Sequence, residues 1–411
     1  MKYTARFING SAFKPSDWGD DGLPIVRIAQ LTGGDFDNFF DGHVDERYHI
    51  TDGDLLFSWS ATLDSFEWSR GPGILNQHIF KVVPKTGTHK RFLYYSLKHH
   101  APLWADIDAH GSTMRHIKKE SLGNKIWLPS FEDQRGIASF LDREVSHIDN
   151  LLRKKENFVQ ALIQKASNFT DIAITRGLYS DVDFQDTDIA WLSKVPSHWK
   201  LKRAKYLFRE ANRPPEPDDG IITAFRDGQV TLREKRRTEG YTFAVKEVGY
   251  QHICKGDLVI HTMDAFAGAI GVSEDDGKAT GEYAVCEARS TSINNHYFAY
   301  LLRCMAKRDY IFVLCPSVRE RAPRFRFVRF APVLLPVPPR AEQDEIVSKI
   351  EEQTTKLKVV KEKTEQSIER LQEFRSALIT AAVTGQIDVA NWGRRGGTDR
   401  RLDAIEQEMA S

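Results

Sequence analysis

From Arg340 to Thr384 the chain contains neither glycine nor proline. Nothing in that run breaks a helix. At about 1.5 Å per residue it predicts a single helix of roughly 65 Å, well beyond ordinary globular length. Alternating steps of four and three pick out Ile346, Ile350, Gln353, Leu357, Val360, Thr364, Ser367, Leu371, Phe374 and Leu378. That is an apolar seam with polar interruptions at coiled-coil spacing.

A second stretch repeats the pattern. Residues 137–176 also lack both breakers, and the same rhythm reads Ile137, Leu141, Glu144, Ile148, Leu151, Lys155, Phe158, Leu162, Lys165, Phe169 and Ile172. The two helices are preceded by related segments, LPSFEDQRGI and VPPRAEQDEI. Aligning Pro129 with Pro338 pairs Asp133 with Glu342, Gln134 with Gln343, Ile137 with Ile346, Leu141 with Ile350, Ile148 with Leu357 and Leu162 with Leu371. Ser130 and Asp133 have the S-x-x-D spacing of a helix cap, and Gly177 and Gly385 stand where each helix should end.

The chain of 411 residues is too long for one ordinary core, and turn signals divide the remainder into strand-rich blocks. The organisation expected is a first globular domain at 1–128, a first long helix at 129–177, a second domain at 178–337, a second long helix at 338–390 and a tail at 391–411. The fold class is α+β. Short apolar runs near 24–28, 54–59 and 78–83 predict strands, and Lys90–His100 and Asn295–Lys307 predict helices. Because a compact domain returns its ends close together, the two long helices are expected to pair antiparallel about a pseudo-two-fold axis. The seam is then Ile137, Leu141, Ile148, Lys155 and Leu162 against Ile346, Ile350, Leu357, Thr364, Leu371 and Leu378. Lys155 and Thr364, equivalent and central, are expected either to meet and fix register or to lie at the edge of the seam.

Composition bounds the chemistry. The formal net charge is +1, so nucleic-acid binding must come from local patches. Cys254, Cys286, Cys304 and Cys315 show no CxxC spacing, and no apolar run approaches a membrane span, which predicts a reduced, cytoplasmic protein. No phosphate-binding loop, dinucleotide turn, methyltransferase motif or zinc-protease motif is present, and neither a catalytic nor a metal constellation is expected. Asp106, Asp108 and His110 read as a polar helix end rather than as ligands.

Basic clusters are the candidate DNA contacts. They are Arg319, Arg321, Arg324 and Arg326 in SVRERAPRFRF; Lys235, Arg236 and Arg237; and, in the first half, Arg115, Lys118 and Lys119. The last group precedes the first long helix much as the arginine segment precedes the second. Strand alternation would set Arg324 and Arg326 opposite Phe325 and Phe327. Arginine can read guanine bidentately and lysine neutralises phosphate, although a solvated charge run is the other reading. Lys202, Arg203 and Lys205 form a further cluster. Trp59, Asn76, Gln77 and His78, with His261, Thr262, Met263 and Asp264, serve either as framework or as base contacts.

Several stretches carry a family resemblance: NGSAFKPSDWGDDGLPIVRIAQLT, GDLLFSWSATLDSFEW, NQHIFKVV, VPSHWKLKRAKYLF, GDLVIHTMDAFAGAIGVS, both segments leading into the long helices, and SALITAAVTGQID. Together they resemble the specificity subunit of type I restriction-modification systems. The resemblance implies two target-recognition domains reading a bipartite, asymmetric double-stranded DNA sequence. It also implies spacer helices that dock methyltransferase (modification) subunits and restriction motor-nuclease subunits. Adenine-N6 methylation, ATP-driven translocation and cleavage would then belong to those partners, with S-adenosylmethionine, ATP and magnesium, and this chain would hold no cofactor. A coiled-coil scaffold whose globular ends bind proteins is the alternative.

Overall fold

The computed structural model describes residues 1–108, 116–236, 249–315, 324–394 and 396–410. They form two compact units, Met1–Phe158 with Glu362–Ser411, and Val159–Lys361.

In the first unit, four strands form an antiparallel sheet: β1 (Ala5–Asn9), β2 (Leu55–Ser58), β3 (Asp64–Glu67) and β4 (Ile79–Pro84), in the order β1-β4-β2-β3. Every residue of β2 is buried, and its pleat divides them between two cores. Leu55 and Phe57 face helix α1 (Lys90–Asp108) with Leu93, Leu97 and Trp104. Leu56 points the other way, toward Val26, Ile50 and Leu75. A strand covered on both faces has no need of polar alternation, which is why this one reads as a continuous apolar run.

The second unit builds the same sheet from different residues. Strands β5 (Phe208–Glu210), β6 (Leu258–His261), β7 (Ile270–Val272) and β8 (Tyr283–Ala288) take the order β5-β8-β6-β7, again antiparallel. GDLV of β6 stands where GDLL of β2 stands. Leu258 and Ile260 face one core, with Phe298 and Leu302 of helix α3 (Asn295–Lys307), while Val259 faces another, with Ile222 and Ile253. Asn294 caps α3, its side chain accepting the His296 N–H at 2.9 Å.

The long helices are α2 (Phe131–Arg176) and α4 (Arg340–Val383). Ser130 Oγ accepts the Asp133 N–H at 3.2 Å, so the S-x-x-D spacing acts as a cap. Gly177 (φ +78°) and Gly385 (φ +74°) end the helices in the left-handed region. A Cβ would strain the backbone at both, and would crowd the Glu342 carboxylate at Gly177 and strike the Trp127 ring at Gly385. The second helix therefore stops at Val383, short of the expected residue 390. The tail beyond it is helical, with a short turn at Val389–Arg394 and helix α5 (Gly397–Ala410).

Within the first unit, Ile137, Leu141 and Ile148 of α2 pack with Leu371, Leu378 and Ala382 of α4, and Leu402 and Ile405 of α5 join them. Arg375 reaches Asp149 at 2.7 Å. Within the second unit, Ala173 and Ile174 share a core with Ile346, Val347 and Ile350. No helix among the described residues is long and apolar enough to cross a membrane.

Candidate nucleic-acid interface

The basic segment ahead of each long helix hangs from the same place on the sheet. Trp59, just past the end of β2, accepts the Ile117 N–H through its carbonyl at 2.9 Å. Thr262, the equivalent residue past β6, accepts the Phe325 N–H at 2.9 Å. Ile117 and Phe325 are 4% and 1% exposed, so each segment is nailed down by one apolar side chain and one backbone bond. The cations beside them point outward: Lys118 and Lys119 after Ile117, and Arg324 and Arg326 on either side of Phe325. Asp108, at the end of α1, fixes the first segment further by accepting the Lys118 N–H at 2.8 Å and the Ser121 hydroxyl. Those bonds give Asp108 a structural role at the polar end of α1.

The arginine segment is not the strand its alternation suggested. Residues 324–326 are irregular and Phe327–Phe330 form a helical turn. The alternation of exposure survives because Phe325 packs on Phe330 at 5.9 Å and not because a ladder holds it. Arg324 pairs with Glu282 at 3.0 Å, and Glu282 also accepts the Thr262 hydroxyl, which ties this arginine to the end of β6. Arg115, Arg237, Arg319, Arg321 and His110 lie outside the described residues.

Lys235 and Arg236 are held by acids. Lys235 Nζ sits 2.5 Å from Asp275, and that contact, with the Thr231 hydroxyl, draws the Asp275 carboxyl down to about 2. Arg236 makes 2.6 Å and 2.9 Å contacts with Asp227, holding that carboxyl below its ordinary range, and lies over the Phe225 ring. Lys202 and Arg203 project from a strand paired with Leu334–Val337, and Lys205 follows them; all three are exposed. Among the remaining candidates, Asn76 and Thr262 are buried, and Trp59 donates its indole N–H to Asn9. The His261 ring packs on Tyr283, where burial pushes its pKa below the usual value. His78 and Met263 are exposed.

A pair that sequence alignment had matched without a role proves to be a clamp. Gln134 accepts the His89 N–H at 2.8 Å and donates to the Gly87 and Pro129 carbonyls. Gln343 accepts the Asn294 N–H at 2.8 Å and donates to the Ser292 and Pro338 carbonyls. In both units one buried amide staples the first turn of a long helix to the start of the shorter helix, α1 or α3.

Residues 6–160 match the type I restriction modification DNA specificity domain family. Over 95% of its length the chain is 23% identical to the type I restriction enzyme EcoBI specificity subunit of Escherichia coli, covering 86% of that protein. A chain from a structure describing complex assembly and conformational transition of the type I R-M system superposes over 93% of this chain and 98% of its own. Its TM-score is 0.63 at 14% identity. Residues 6–160 carry a type I specificity domain, and the chain as a whole resembles a type I specificity subunit.

In this chain the seam residues divide by depth. Ile137, Leu141, Ile148, Ile346, Ile350, Leu371 and Leu378 are buried, whereas Lys155, Leu162, Leu357 and Thr364 are only partly covered. Lys155 Nζ reaches Glu406 of α5 at 3.5 Å. The tail was assigned no role from sequence. Its contribution was hidden because α5 meets α2 only once the chain is folded.

Proposed function

We propose that this chain is the non-catalytic DNA-recognition subunit of a type I restriction-modification complex, each unit reading one half of a split target. The observation that carries the reading is the double use of one design. Each unit presents an exposed basic segment pinned to the exit of the third strand of the same sheet, directly ahead of a clamped long helix. Lysines of such segments would neutralise phosphate, and arginines would add base-edge contacts.

The long helices act as the spacer, an antiparallel coiled coil that sets the distance between half-sites. They also dock the methyltransferase and motor-nuclease subunits. S-adenosylmethionine, ATP and magnesium are handled by those partners, and the complex works in the cytoplasm. The match of residues 6–160 to the specificity-domain family and the packing of both helices within each unit support this reading.

Co-expression with the methyltransferase partner, followed by mapping of methylated adenines, tests the proposal. Two methylated half-sites separated by a fixed unread gap are expected. A contiguous methylated motif removes the two-domain reading, and absence of any sequence-specific methylation or DNA retention returns the chain to a protein-binding scaffold.

A further inference from the structure

In the second unit, His252, Cys254 and Asp276 converge, one ligand atom of each lying within 4.8 Å of the others. The short ladder between Gln251–Ile253 and Gly277–Ala279 explains why. It pairs His252 with Lys278 and Ile253 with Gly277, so the register carried one residue further sets Cys254 opposite Asp276. Side chains two apart on a strand share a face, and directly opposed residues share it too.

Two of the three groups each have one polar atom engaged elsewhere and one left over. His252 Nδ1 lies 2.8 Å from Asp219 Oδ2, and that oxygen also accepts the Glu216 N–H at 2.8 Å. A proton on Nδ1 donated to Asp219 leaves the Nε2 lone pair available, the carboxylate–histidine arrangement found behind metal-ligating imidazoles. Asp276 Oδ1 accepts the Lys255 N–H at 2.8 Å, which leaves Oδ2. Cys254 is the one cysteine of the four that is not buried. Glu216, Asp219 and His252 also converge, but the His252–Asp219 hydrogen bond accounts for that grouping.

We propose that His252 Nε2, Cys254 Sγ and Asp276 Oδ2 form a binding site for a borderline divalent cation, zinc by preference, with solvent as the fourth ligand. Nitrogen, sulfur and oxygen donors together suit zinc, whose bonds of about 2.0–2.3 Å require a modest closing of the three atoms. The half-exposed Cys254 and exposed Asp276 side chains can supply that closing. Binding releases the thiol proton to solvent. The ion would join the strand at 251–253 to the turn at 275–276, and so stiffen the surface on which Asp275 holds Lys235. The site stands independently of the DNA-recognition reading.

The test uses the full chain, stripped with a chelator and titrated with Co²⁺ and then Zn²⁺. One equivalent of Co²⁺ is expected to give a thiolate-to-cobalt charge-transfer band, discharged by Zn²⁺ and abolished in Cys254→Ala. Asp276→Asn and His252→Ala should weaken Zn²⁺ binding by about tenfold or more, and the orienting variant Asp219→Asn by about 10–100-fold. Circular dichroism melts establish that each variant is folded, and the exposed Asp276 position provides the variant least able to disturb the fold. A folded wild-type chain without the band, or a band that persists in Cys254→Ala, overturns the site.

Discussion

Arg324 and Arg326 flank the same buried phenylalanine but differ in what a phosphate must displace. Arg324 is engaged by Glu282, whereas Arg326 has no carboxylate partner among the described residues. Arg326→Gln should therefore lower the slope of log binding constant against log salt by about 1, as loss of one phosphate contact requires. Adding Arg324→Gln should lower it by less than a second full unit. Salt-titrated DNA binding of the assembled complex checks both. The Lys235–Asp275 pair gives an acid signature. Its carboxyl titrates near 2 in the folded chain, below its ordinary value, so the stability it contributes is present above the unfolded value and is lost as pH falls toward 2. Lys235→Ala should shrink the loss of stability between about pH 4 and pH 2 in acid unfolding. At this scale the sequence located the charged clusters, but not their partners, because Asp275 and Glu282 arrive from segments far along the chain and Asp227 from across the preceding hairpin.

The helices are where sequence reading went furthest. Two runs without breakers, a Ser130 cap and glycines at both ends translate directly into α2 and α4, because helix formation and termination are local events. The glutamine clamp was visible as an alignment and invisible as a function, since its partners are backbone groups at 87–89 and 292–294. Gln343→Leu should leave the Asn294 N–H and two carbonyls unpaired and cost about 1–3 kcal/mol, read by urea unfolding. The seam makes a graded prediction. Leu371→Asp places a charge where 2% of the residue is exposed and should destabilise the protein severely, whereas Leu357→Asp, at a partly covered position, should be milder. Equal losses in the two variants would contradict the depth profile of the seam.

At the scale of the whole molecule, the repeat is deeper than the residues suggest. Outside the helix starts the two globular blocks share little sequence, yet they build sheets of the same order. Their central strands divide side chains between two cores in the same way. The tail belongs to this scale as well. Leu402 and Ile405 are almost fully buried in the first unit, so ending the chain after Asp388 should remove roughly 3–6 kcal/mol of apolar burial. A markedly lower melting temperature of the truncated chain is expected. An unchanged melt would show α5 to be dispensable.

What the sequence determined alone was periodicity and punctuation: long helices, their caps and the family the chain resembles. Those signals depend on residues within a few positions of one another. The tertiary structure decided which strands became neighbours, that the arginine segment is a pinned coil and not a strand, and that the tail returns as a helix. It also decided that His252, Cys254 and Asp276 meet across a ladder. Each of these depends on chain segments far apart in sequence, whose approach is fixed by burial of apolar faces and by pairing of backbone groups.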